Sequence, residues 1–267
     1  MRGIIPGLAA LALLGGAAQA QPISGLYVGA GLGANWNEKE GGQLGGISAR
    51  VQTRWGLLAS GSVGWGFGNG VRAELEVSYR DNAAENITLA NNIRGQTVGG
   101  AFRQVGVMGN AFYDFHPGLN LGGMPIVPYL GAGIGYAWLD YDNVTARLSP
   151  TTRAVVNGSD GAFAYQAMAG VAFGLDAALP GLAFTVEYRY FGTLEPSVPS
   201  RIVNNAGLTI PGATSGFAAA NNNHAILVGL RYAFNAPRPV PPPAPAAAPA
   251  PARTFLVFFD WDRADLT

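Results

Sequence analysis

No cysteine occurs in the 267 residues, which removes disulfide frameworks, thiolate metal sites and cysteine nucleophiles from consideration. An excess of either charge is missing too, since 16 Lys and Arg stand against 16 Asp and Glu. Nucleic-acid binding needs a basic footprint, so no nucleic-acid partner is expected. Charged residues make up only 12% of the chain, too few for an ordinary soluble surface. Yet no long apolar run follows the first twenty positions, so the remaining apolar residues must be spread in alternation. A helix across a membrane is thereby excluded from the mature chain.

What the chain has instead is glycine, 39 residues of it, and a leader. Arg2 gives a positive start, Ile4 to Leu14 an apolar stretch too short to span a bilayer, and Ala18-Gln19-Ala20 a small-x-small cleavage signal. Residues 1–20 are therefore expected to be a signal peptide, and the mature protein to begin at Gln21.

From Leu26 onward the residues alternate with the period of a strand. Leu26, Val28, Ala30, Leu32, Ala34 and Trp36 fall on one face, with Tyr27, Gly29, Gly31, Gly33 and Asn35 on the other. The pattern recurs over 59–67 and again from Val71 to Tyr79, where Arg72, Glu74, Glu76, Ser78 and Arg80 make the opposite face charged. Five more candidates follow, Val105 to Phe115, Pro128 to Trp138, Phe163 to Phe173, Leu182 to Phe191 and Ala225 to Phe234. Eight strands of this length, with aromatic residues at their ends, predict an all-β fold: an eight-stranded antiparallel up-and-down barrel crossing the bacterial outer membrane over residues 21–235. Its primary partner is the membrane lipid. Connections alternate in length as such a barrel requires, with short periplasmic turns at Gly68-Asn69-Gly70 and Asp176 to Gly181. A longer connection runs from His116 to Val127, and four polar extracellular loops are expected at Asn37 to Arg54, Asp81 to Gly100, Asp142 to Gly161 and Gly192 to Asn223.

Alternation also aims eight charges into the lumen: Arg72, Glu74, Glu76, Arg80, Asp114, Glu187, Arg189 and Arg231. Isolated charges in a narrow interior cost several kcal/mol each, so pairing is expected, Arg72 with Asp114 and Arg231 with Glu187 on neighbouring strands. Glu74 and Glu76 are placed to reach Arg189 or Arg231 across the barrel. An interior of this size holds side chains or one small ligand, and the glycines Gly29, Gly31, Gly33, Gly131, Gly133 and Gly135 leave space for water. Catalytic, cofactor and metal sites are not expected. The two histidines, His116 and His224, fall at opposite ends of the barrel, with no serine two residues from His224 on its face. Gly29-Ala-Gly31-Leu-Gly33 lacks the helix and third glycine of a dinucleotide site. Asn86-Ile-Thr88 and Asn143-Val-Thr145 match glycosylation sequons that a bacterial precursor normally ignores.

Four stretches resemble the outer-membrane protein A family and its opacity-protein relatives: Gly25 to Gly33, Gly109 to Phe115, Val127 to Tyr136 and Val228 to Phe234. In the last, Gly229, Tyr232 and Phe234 occupy the places of the C-terminal signal read by the barrel-insertion machinery, which the resemblance implies as a partner; Leu227 stands where that signal usually has a polar residue. Residues 236–253 are rich in Pro and Ala and read as an extended linker. Residues 254–267, with Phe255 to Asp262, resemble the first strand of the peptidoglycan-binding domain that follows such barrels. That domain's ligand residues lie further along than Thr267, so peptidoglycan is a partner only of a complete domain. The resemblance implies an envelope-structural role, anchoring the outer membrane to the cell wall. The alternatives are a narrow diffusion pore and surface recognition through the loops.

Overall fold

The computed structural model describes residues 21–38, 40–44, 47–89, 98–194, 197–218 and 221–235, with Trp261. The signal peptide with Ala18 and Ala20, the linker 236–253 and the strand expected over 254–267 lie outside the described residues, except that Trp261 sits in a turn.

Thirteen strands occur in chain order among the described residues. They are β1 (Ser24–Asn37), β2 (Glu40–Leu44), β3 (Ile47–Thr53), β4 (Gly56–Phe67), β5 (Val71–Leu89), β6 (Val98–Asp114), β7 (Asn120–Leu121), β8 (Met124–Ser149), β9 (Thr152–Gly174), β10 (Leu182–Thr193), β11 (Ser197–Asn204), β12 (Thr209–Ala218) and β13 (Asn222–Ala233). Eight of them form the barrel wall, in the order β1-β4-β5-β6-β8-β9-β10-β13, every neighbour antiparallel. The wall closes where β13 pairs back onto β1, from Tyr27↔Ala233 to Asn37↔Asn223. Closure leaves no open edge, so every wall strand satisfies its backbone groups on both sides, which is what a lipid environment demands.

Parity along each strand decides which side chains meet which medium. Leu32, Leu75, Ile134 and Val228 point outward and are exposed, while Tyr27, Arg72, Met108 and Arg189 point inward and are buried. Aromatic side chains mark both rims of the apolar band: Trp65, Phe67, Tyr113, Phe115 and Phe234 at the turn end, and Tyr79, Tyr136, Trp138, Phe163 and Tyr188 at the loop end. The β4–β5 turn is tight because Gly68 and Gly70 adopt φ of 77° and 92°, and Asn69 Oδ1 accepts from the Val71 amide at 3.0 Å.

The expected long loops prove to be largely strand. β5, β6, β8 and β9 continue past the loop-end girdle; β3 and β11 pair onto the extensions of β5 and β9, and β2 and β12 pair in turn onto β3 and β11. Pairing persists because the inner face of this crown stays apolar, with Phe102, Leu139, Tyr141, Val144, Val156, Phe191 and Val198 in one buried cluster. Each fully buried side chain of that kind contributes about 1.5–3 kcal/mol. The His116 to Val127 connection likewise contains β7, paired with the start of β8.

A β-bulge on β8 separates wall from crown, shifting its register against both neighbours. The register shifts between Gly99 and Ala101 on β6 and between Tyr141 and Val144 on β8. Gly100 (φ 109°), Asn143 (φ 47°) and Gly158 (φ 146°) carry the left-handed geometry there. The shift reverses parity: Leu139 and Tyr141 point inward below it, Val144 and Ala146 above it.

Candidate functional site in the barrel lumen

β5 supplies the spine of the lumen, because its inward positions Arg72, Glu76 and Arg80 recur every four residues, about 13 Å apart along the strand. Near the turn end, Arg72 meets Asp114 of β6 in a two-pronged pair, Nε to Oδ2 at 2.8 Å and Nη2 to Oδ1 at 2.9 Å. Arg72 Nη1 donates to the Tyr27 hydroxyl at 3.0 Å, and its guanidinium lies 4.5 Å from the Phe112 ring centroid. This expected pair is present, and both side chains are almost fully buried.

In the middle of the barrel, Arg189 of β10 holds two carboxylates. Its Nη1 donates to Glu76 Oε1 at 2.6 Å and its Nη2 to Glu187 Oε1 at 2.7 Å. Tyr129 donates its hydroxyl to Glu187 Oε2 at 3.1 Å, and Gln166 donates to Asn110 at 2.8 Å beside Glu76. The expectation that Glu187 pairs with Arg231 is therefore corrected. Arg189, two residues along the same strand, takes that carboxylate, and among the described residues no carboxylate lies within ion-pair distance of Arg231. Arg231 and Glu74 border a small cavity of about 70 Å³, with Gly29, Gly31, Ser60 and Ser62 on its other side. Polar and of this size, it has room for a few waters.

Arg80, near the loop end, stands apart from the network. Its side chain is fully buried, Nη1 reaches Ser78 Oγ at 3.1 Å, and the guanidinium lies 4.0 Å from the Phe191 ring centroid. Among the described residues its Nε and Nη2 have no hydrogen-bond partner. Beside it Leu58, Leu227 and Ala225 form a small buried apolar cluster, and Asn221 donates to Gln104 at 3.0 Å.

The lumenal glycines divide into two groups. Gly29 and Gly31 line the cavity, whereas the other four face filled space. A Cβ at Gly131 would meet the Phe112 ring, one at Gly133 the Asn110 amide, one at Gly135 the Val107 carbonyl, and one at Gly33 the Ile226 carbonyl. They admit neighbouring side chains and backbone rather than water.

Of the insertion-signal residues, Tyr232 and Phe234 meet edge to face at 5.0 Å, and Gly229 sits between Ala30 of β1 and Thr185 of β10. Gln21 is exposed at the start of the described chain. His224 lies at the loop-end rim, bonded to Tyr188 at 2.7 Å and Glu38 at 3.0 Å and stacked on Trp36, contacts that parity alone does not foretell.

The family described as "outer membrane protein beta-barrel domain" matches residues 7–235. An "Outer membrane protein" of Gluconacetobacter diazotrophicus is 37% identical over 269 aligned positions, spanning 94% of this chain and 69% of the relative. Among solved structures, Neisserial surface protein A is similar over 79% of this chain and 98% of its own, at 17% identity and a TM-score of 0.43. The outer membrane protein OprG from Pseudomonas aeruginosa is similar over 79% and 96%, at 13% identity and a TM-score of 0.48.

Proposed function

Because this chain belongs to the outer membrane protein beta-barrel family and is a bacterial outer-membrane barrel, we propose that its role is envelope-structural: a sealed barrel that fixes the periplasmic part of the gene product to the outer membrane and so holds that membrane to the cell wall. The observation that carries this reading is the ion-paired lumen. Arg189 ties β10 to β5 through Glu76, and neither side chain is appreciably exposed. A diffusing solute would have to break that pair and then pass the buried apolar cluster at Leu58 and Leu227. The Pro- and Ala-rich stretch from residue 236 supports the tether, since such sequence runs extended as a semi-rigid spacer.

Two measurements test it. The refolded protein in planar bilayers is expected to show no stepwise conductance, and deletion of its gene is expected to raise vesicle shedding severalfold. Steady openings of the native protein would favour the narrow-pore reading, which rests on the cavity beside Arg231. Unchanged shedding would remove the structural role.

A further inference from the structure

Three arginines stand on the outer face of the crown. Above the bulge the inward positions are Val144, Ala146, Ala154, Val156, Val198 and Ser200, so the alternate residues Arg147 on β8, Arg153 on β9 and Arg201 on β11 face outward and are exposed. Arg147 and Arg153 are directly paired across β8 and β9, and Arg201, opposite Val155, is diagonal to Arg153 on the other side. Such neighbours lie about 5 Å and about 7–8 Å apart between Cβ atoms, so the guanidinium groups share one small patch.

Like charges directly opposite one another weaken a sheet, and among the described residues no carboxylate lies within ion-pair distance of these three arginines. Among the described residues Arg147 donates only to the Pro150 carbonyl, at 3.2 Å, which also accepts from Asn205 at 3.1 Å. Among the described residues Arg153 and Arg201 have no ion-pair partner, in contrast to Arg103 nearer the membrane, which sits between Asp81 and Asp142. Arginine's planar fork matches phosphate oxygens two at a time, and three forks on a fixed sheet present a preformed polyanion surface.

Height selects the occupant. Arg147 lies nine positions beyond the girdle residue Trp138 on β8. At strand rise and barrel tilt this is about 20–25 Å above the rim of the apolar band. In an outer membrane the long-connection end is extracellular, and that height falls within the saccharide layer of the outer leaflet, above the lipid headgroups themselves.

We propose that Arg147, Arg153 and Arg201 form a binding surface for the phosphorylated glycan of the outer-leaflet glycolipid. The patch lies outside the lumen and does not depend on whether the barrel conducts or tethers. The test uses the whole refolded protein in detergent, with purified lipopolysaccharide as probe and the same material after enzymatic dephosphorylation. The triple variant R147Q/R153Q/R201Q is expected to bind the phosphorylated probe at least about tenfold more weakly, with a shallower dependence on salt. Both proteins are expected to bind the dephosphorylated probe equally weakly. R103Q is the control for lost surface charge and is expected to bind like the native protein. Heat-modifiable electrophoretic mobility confirms that each variant is folded. Unchanged affinity in the triple variant, an equal loss in R103Q, or equal binding of the two probes by the native protein would each overturn the proposal. So would equally tight, arginine-dependent binding of polyglutamate, which would assign the patch to an acidic protein.

Discussion

Glu76 and Arg189 are 113 positions apart in the chain and 2.6 Å apart across the lumen. The pair links β5 to β10, strands that share no backbone hydrogen bonds in the wall. It therefore braces the barrel through its interior, where sheet pairing acts only around the circumference.

Removing one member of such a pair exposes the cost of burying the other. Asp114→Ala would strand Arg72, which is nearly inaccessible to water. The expected loss is about 3–5 kcal/mol, read as a lower urea midpoint for unfolding in micelles. A midpoint equal to that of the native protein would mean that water reaches Arg72 freely.

Arg80 should behave in the opposite way. Two of its guanidinium nitrogens have no partner, and no carboxylate depends on it among the described residues. Arg80→Met is thus expected to be neutral or to stabilise by about 1–4 kcal/mol in the same assay. A loss as large as that of Asp114→Ala would show an attractive interaction that the contacts at Ser78 and Phe191 do not account for.

Two glycines on one barrel predict different tolerance. A Cβ at Gly135 would collide with the Val107 carbonyl and crowd Met108, whereas a Cβ at Gly61 meets nothing within 4 Å. Gly135→Ala is expected to cost about 1–3 kcal/mol or to reduce refolding yield, with Gly61→Ala close to native. Equal yields and midpoints for the two would argue against the β6–β8 spacing.

The apolar band should resist charge in proportion to depth. Leu75 lies at the middle of β5's outward face, and Leu208 lies in the crown between β11 and β12. Leu75→Arg is expected to cost about 2–4 kcal/mol in refolding into vesicles. Leu208→Arg should stay within about 0.5 kcal/mol of native. Similar losses at both positions would misplace the bilayer.

Much of the wall was legible because a period of two survives wherever one medium is lipid and the other is a filled lumen. That parity was enough to face Arg72 toward Asp114. It could not say that Arg189 would claim Glu187 from Arg231, since parity gives a side chain's direction but not its reach or rotamer. The crown escapes a reading of parity for a related reason. Its Asn-, Gly- and Thr-rich composition suggests turns, and the extra residue at Asn143 inverts the alternation midway along β8. Asn143 lies in a sequon, and its structural part is the left-handed residue that starts the inversion.

The seam between β1 and β13 joins the first strand of the chain to the last, Val28 opposite Tyr232 and Trp36 opposite His224. During synthesis and export, β1 therefore waits for a neighbour that emerges some two hundred residues later. Until then its unmatched amides and carbonyls are an invitation to pair with any extended chain nearby. Both ends of the chain must come together in one place before the cylinder can exist. A chain cut short of Phe234 would lose the stave that completes the cask, and would be cleared as debris rather than inserted as a smaller barrel.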